Sequence, residues 1–446
     1  MKTRTRALAA LCLTTVVAAG CFPPEPGGGT PDDPLGRYVA TTGVDTGTCS
    51  ASAAPCLTIN YAISQANPGD NVYVAAGSYA EIAAPDKDLD FKGANAGVAA
   101  GTAPGARGAE SVVQGFRNPG NPGTTSFTIS IDGFRIDPQG DAALLAASAQ
   151  PLVWLRGGTT TVINNVFHGG TYQSDCSFTC TTMADYAFAV QSGDVTFSAN
   201  TVENFRRPVN INQAVGAADT VATVSANTFT GITSRALSLS GSTGVQMPGQ
   251  TVSGNTFDAT GRTAPSAPAG ITVSNGSNVI DGNSFTGFAS GVFIDMCKKF
   301  ITDDNSITNN DFVGNGGAVN ITANSDGGQC STSTTEGADG WVTGGGRVNG
   351  LVVTGNDFVG NTTYAVRHAA YNWGFFTATA PVTAGPVDLS CNYWSSTTGP
   401  GVAAYSYPPG TVTPIPDGLI HTASPEVQPA PTTWRTAVDG PCDGSA

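Results

Sequence analysis

Charge is scarce in this chain. Asp, Glu, Lys and Arg make up 12% of its 446 residues, about half the share in an average soluble domain, so its surface must be covered by uncharged polar groups. Basic residues are the scarcer sign, 19 against 33 acidic, for a net charge of −14. That balance excludes nucleic acid as a partner, because phosphate backbones are held by clustered Lys and Arg. Three His are present and no cysteine set has the two-by-two spacing of a zinc site, so no metal cofactor is expected. The triple glycines at 27–29 and 344–346 lack the Lys and the strand-to-helix setting of a phosphate loop and read as loops. Helical spacing of apolar residues is missing from the body of the chain, and no apolar run is long enough to span a bilayer as a helix.

What is present begins with Lys2, Arg4 and Arg6, followed by an apolar stretch from Ala7 to Ala19. A charged stretch and then a short apolar one is a secretion signal, residues 1–20, so the protein is expected to be exported, to the extracellular space or the outer cell surface. Ala18-Ala19-Gly20-Cys21 resembles a bacterial lipobox with Ala in place of the usual Leu, which makes Cys21 a candidate for lipidation. Losing Cys12 with the signal and Cys21 to lipid reduces ten cysteines to eight, an even set for an oxidising compartment. Pairing in sequence order gives Cys49–Cys56, Cys176–Cys180, Cys297–Cys330 and Cys391–Cys442. Residues 21–37, rich in Pro and Gly, read as a tether. The lipid would be the sole membrane attachment. Removing the three basic residues of the signal takes the net charge to −17.

The body is a repeat. Aligning a polar residue two places before an aromatic or aliphatic one gives Asp132-Gly-Phe134, Asn165-Val-Phe167, Asn200-Thr-Val202, Asn227-Thr-Phe229, Asn255-Thr-Phe257, Asn283-Ser-Phe285, Asn310-Asp-Phe312, Asn356-Asp-Phe358 and Asn392-Tyr-Trp394. The steps are 33, 35, 27, 28, 28, 27, 46 and 36 residues. A floor near 27 with longer steps fits one coil of fixed core plus loops of variable length. Period-two segments such as Ala222–Asn227 and Arg235–Leu239 flank the marks and read as strands. The expected fold is all-β, a parallel solenoid stacked at roughly 4.8 Å per coil.

These repeats resemble the right-handed parallel β-helix family, in the superfamily that includes pectate lyases, over residues 38–400. The resemblance implies a short N-terminal capping helix, matched by Leu57–Ala66 ahead of a strand at Val72–Val74. It also implies an end to the coils near Asn392–Pro400, similar to the family's Asn-Trp-Trp-Gly…Gly-Pro ending but with Tyr393 and Ser395 as departures. The Pro-rich tail, 401–446, would be strapped to the last coil by Cys391–Cys442.

Asn165, Asn200, Asn227, Asn255, Asn283, Asn310, Asn356 and Asn392 read as a structural ladder: Asn tolerates the left-handed bend and its amide bonds to the coils above and below. Partners are expected on the strand after each mark, whose outward positions are Asn210, Asn212, Ser238, Ser240, Thr272, Ser274, Phe293, Asp295, Asn320, Thr322 and Arg367. Amides and hydroxyls on one long face suit the hydroxyls of an extracellular polysaccharide or other glycan, and suit solvent equally well. For catalysis the candidates are Asp295, Lys298, Asp303, Asp304 and Arg367. Asp295, Asp303 and Asp304 are also a possible Ca²⁺ set with Lys298 as base, against the plainer reading of a solvated loop. Arg206, Arg207 and Arg235 could add a basic strip beside the face, and His368 falls on an inward register. The pattern of Asp and Arg in pectate lyases is not reproduced, so no catalytic residue carries over.

Three functions stay open: a monomeric surface protein that binds carbohydrate, a polysaccharide lyase or glycoside hydrolase, and a purely structural envelope protein or adhesin. Their discriminators are retention on glycans, new chain ends, and neither.

Overall fold

A computed structural model describes residues 32–101, 107–118, 126–146, 150–174, 181–212, 220–240, 248–261, 269–295, 302–322, 347–348, 350–368, 383–384, 387–396, 400–404, 419–422 and 433–445. Nearly every strand pairs in parallel with the strand one coil before and one coil after it, as the repeat requires. Among the described residues the first sheet has eleven strands, from Gly36–Val39 and Asp70–Val74 through Gly193–Ser198 and Thr251–Ser253 to Val352–Thr354. A second sheet, with twenty strands among the described residues, consists of two stacks. One passes through Val166–His168, Thr201–Phe205 and Thr228–Ile232, the other through Val209–Asn212, Arg235–Ser240 and Tyr364–His368. They join at Ser111–Arg117, which pairs with both Arg135–Ile136 and Val153–Leu155. The result is a parallel β-helix.

Alternation places one apolar residue per strand at the same height in each coil. Val162, Phe197, Val224, Val252, Ile280, Ile307 and Val353 form one such fully buried column. Behind the Asn marks the rings stack, Phe229 on Phe257 at 4.7 Å and Phe257 on Phe285 and Phe285 on Phe312 at 4.9 Å, and Phe358 meets Trp394 at 4.9 Å with the rings tilted by 47°. Each buried ring contributes roughly 1.5–3 kcal/mol, and each stacked pair about 0.5–1.5 kcal/mol beyond that.

Asn165 to Asn392 form the expected ladder, continuous over eight coils. The main-chain N–H of Asn255 donates to Asn283 Oδ1 at 2.9 Å, and its Nδ2 donates to the same oxygen and to Val224 O. Asn227 does the same to Asn255, and Asn356 to Asn392. One detail differs from expectation. The left-handed residue is the one before each ladder Asn: Asn164, Ala199, Ala226, Gly254, Gly282, Asn309, Gly355 and Cys391 all have φ between 54° and 70°. The amide is occupied in holding the neighbouring coils, so the turn itself is made one residue earlier. The first mark also shifts. Phe134, not Asp132, stands at the ladder position, donating its N–H to Asn165 Oδ1, and Ile136 pairs with Phe167.

Both ends are closed. The helix Ile59–Gln65 covers the first coils with Ile59, Ala62 and Ile63 buried, Thr58 as its N-cap and the Glu81 carboxylate on the N–H groups of Ile59 and Asn60. Beside it lies the disulfide Cys49–Cys56. At the far end Cys391 bonds to Cys442, and Trp434 enters the core. Parallel pairing runs past residue 400, since Leu419–Thr422 pairs with both Tyr364–His368 and Gly401–Ala404. Among the described residues no helix is long and apolar enough to cross a membrane. Cys21, Cys176, Cys180, Cys297 and Cys330 lie outside the described residues.

Candidate functional site

The register turns the expected binding face into one column. Trp154, Ala189, Asn210, Ser238, Thr272, Phe293, Asn320, Arg367 and His421 are consecutive pairing partners in nine successive strands. Asn212, Ser240 and Ser274 form a second column two residues on, and Asp295 pairs with Thr322 further along it. The side chains of Asp295 and Thr322 lie outside the described residues, as does Lys298.

The column is less open than outward register implies. Ser238, Thr272, Ser274 and Asn320 are each at most 8% exposed. Ser238 Oγ meets Ser240 Oγ at 3.0 Å, while Asn210 Oδ1, Thr272 Oγ1 and Asn320 Oδ1 are buried without a hydrogen-bond partner among the described residues. Leaving such an atom unpaired costs about 1–3 kcal/mol. Three in one column mark a strip of unused acceptors, which a ligand reaches once the groups covering them move aside. Phe293 interrupts the polar column, and the Arg367 guanidinium lies over the Tyr364 ring, 4.2 Å from its centroid.

The remaining candidates lie elsewhere. Asp303 and Asp304 stand at the turn before the strand Ser306–Thr308 of the first sheet, with Asp303 buried and its carbonyl accepting from Ser277 N–H. Arg367 is in the second sheet. Arg206 and Arg207 both pair with the buried Asp185, which offsets one of their two charges, and Arg207 also lies over the Tyr186 ring.

Two charged groups were missed by the sequence reading. At the C-terminal end, carboxylate oxygens of Asp311, Asp357 and Asp439 lie within 4.8 Å of one another. Arg435 pairs with Asp357 at 3.0 Å and Asp439 N–H donates to it. Burial raises the Asp311 and Asp357 carboxyls, and their mutual repulsion with Asp439 adds to this, against the pull of Arg435. The second group is Arg135, Asp137 and His168. Asp137 Oδ2 lies 3.0 Å from Arg135 Nη2 and 3.1 Å from His168 Nδ1. Burial alone would raise the Asp137 carboxyl, but His168, the Gln139 N–H and Arg135 outweigh it and bring it down to about 2.

Two shorter ladders were also missed. Gln250, Asn278 and Asn305 bond coil to coil five residues before the marks, and Asn315 with Asn361 five residues after. The signal was present: Asn305, Asn310 and Asn315 are evenly spaced.

No curated protein matches the chain. A family model described as "Periplasmic copper-binding protein (NosD)" matches residues 128–399, more than half the chain and all eight Asn marks. The expectation of no cofactor does not sit with that description, whereas the expected export agrees with it. With parallel coils over the matched span, this exported β-helix belongs to the NosD family.

Proposed function

We propose that the protein binds a neutral, hydroxyl-rich ligand, an extracellular glycan, along the column from Asn210 to Arg367, and is held at the cell envelope as a monomer through lipidated Cys21. The observation that carries this reading is the set of buried, unpartnered oxygens on Asn210, Thr272 and Asn320 in one register. They accept hydrogen bonds, so the matching ligand is rich in donors. A net charge of −14 disfavours anionic polymers.

The test is retention on immobilised neutral and uronic polysaccharides, with Ca²⁺ or EDTA, together with an assay for new chain ends. Retention on neutral glycans without new ends is expected. New ends lost in Asp303→Ala or Lys298→Ala would replace this reading with a lyase or hydrolase, and no retention would leave a structural protein.

A second reading is copper binding. It is supported by the family's description and by one described imidazole held by a carboxylate, His168 against Asp137. Imidazole with carboxylate is a donor set that suits copper. The trio Asp311, Asp357 and Asp439 suits hard cations instead and is already countered by Arg435. The side chains of His368 and His421 lie outside the described residues. When bound, a copper ion would supply redox or electron-accepting chemistry, and this chain's part would be to hold it. Titration of the purified chain with Cu²⁺ tests this reading: one tight equivalent is expected, and none would end it.

A further inference from the structure

The two-residue shift at the first mark brings together residues that the repeat spacing separates. Val166 pairs with Arg135 and Phe167 with Ile136, which places His168 opposite Asp137. On its other side His168 pairs with Glu203. Asp137, His168 and Glu203 therefore stand in one column on three successive coils, about 4.8 Å apart.

The imidazole in this column is oriented. Its Nδ1 is buried and faces Asp137 Oδ2 at 3.1 Å, while the His168 side chain as a whole is 24% exposed, so its exposed edge is the one away from Nδ1. The contact is an ion-pair approach and not a directed hydrogen bond, yet a carboxylate that close favours the ring proton on Nδ1, which leaves the Nε2 lone pair available. Asp137 is itself fixed by Arg135 and by the Gln139 N–H at 2.7 Å. Glu203 is half-buried, and among the described residues nothing bonds to its carboxylate. An ordered imidazole with a carboxylate behind it is how metal-binding His residues are commonly held. An ion bonded at about 2 Å to each of two ligands bridges most of one coil spacing.

We propose that His168 Nε2 and the Glu203 carboxylate hold a divalent transition-metal ion on the outer face of the β-helix, with Asp137 as a positioning residue that fixes the imidazole. This rests on the copper reading above and gives it a place. Two protein ligands leave the other positions of the ion open to water or to a partner that takes the metal. The site lies on the stack that carries the marks, whereas the glycan column lies on the other stack of the same sheet.

The full chain would be titrated with Cu²⁺ at neutral pH and followed by electron paramagnetic resonance and calorimetry. The wild type should take one tight equivalent with a nitrogen-coupled spectrum. His168→Gln should lose the nitrogen coupling and weaken binding at least a hundredfold, and Glu203→Gln at least tenfold. Asp137→Asn should weaken it about 10–100-fold and, in nitrogen NMR of the metal-free chain, move the His168 ring proton from Nδ1 toward Nε2, which a purely structural role would not do. His368→Gln and His421→Gln should bind as wild type, and thermal melts would show that each variant is folded. Tight binding that survives His168→Gln would overturn this site but leave the copper reading; a wild type that takes no copper would overturn both.

Discussion

Asparagine does opposite things in two regions of this molecule. In the ladder, each buried amide between Asn165 and Asn356 both donates and accepts, coil to coil. In the outward column, Asn210 and Asn320 occur with the same periodicity, yet each has a buried oxygen without a partner. Residue type and repeat position therefore do not separate a structural asparagine from a binding one. Hydrogen-bond satisfaction does: a satisfied network stabilises the fold, whereas an unsatisfied acceptor costs stability and is best explained by something that fills it.

The sharpest way to break this comparison is Asn255→Ala. It removes the acceptor of two Asn227 hydrogen bonds and the donor to Val224 O, all in the interior. With about 1–3 kcal/mol for each buried group left unpaired, the loss should be on the order of 3–5 kcal/mol in urea unfolding. A loss below about 1 kcal/mol would mean that the ladder is passive.

Next in size is the turn beside the ladder. Ala226 is exposed and holds φ 55°, where Gly254 and Gly282 serve the following coils. A non-glycine residue there costs about 1–2 kcal/mol, partly offset by the greater freedom of glycine in the unfolded chain. Ala226→Gly should stabilise by about 1 kcal/mol, readable as a higher Tm. No gain would shift the strain from the turn to the amide.

How much of this was legible follows from what repeats. The coil period, the inward residues, the ladder and the outward column all recur at fixed offsets, so alternation and spacing reveal them. The left-handed residue was not legible, because Asn, Ala, Gly and Cys all occupy that position. Nor was the His168 group, since a step of 33 sets His168 against Arg135 and only the actual pairing sets it against Asp137. Arg435 and Asp439 reach Asp357 from about 80 residues away with no period to announce them. Both charged groups depend on departures from the repeat, which are the parts that repetition cannot reveal.

That C-terminal group supplies a smaller and pH-dependent effect. A carboxyl raised in the folded state contributes stability at low pH that is lost as pH rises through its folded value. Asp311, raised by burial and by Asp439, thus works against the fold near neutrality. Asp311→Asn should raise stability by ~0.5 kcal/mol at pH 7, the scale of a solvent-screened charge, and by nothing measurable near pH 3. Asp137, brought down to about 2, has the opposite sign: its contribution is present at neutral pH and fades as pH falls toward 2. An equal gain for Asp311→Asn at both pH values would show that repulsion is not the cause.

The smallest expected change in stability belongs to the outward column, and it separates that column from the ladder. Asn320→Leu keeps the branched shape of the amide and removes an oxygen that has no partner. Replacing an unpaired buried polar group by an apolar one of similar shape is close to neutral, so its unfolding free energy should stay within about 0.5 kcal/mol of wild type. Retention on a neutral glycan should nevertheless fall at least tenfold, because the lost acceptor is one that the ligand fills. Asn255→Ala and Asn320→Leu would then be opposites, one losing stability and the other only binding. If Asn320→Leu is instead as destabilising as the ladder variant, its amide serves the fold, and the contrast between the two columns of asparagine collapses.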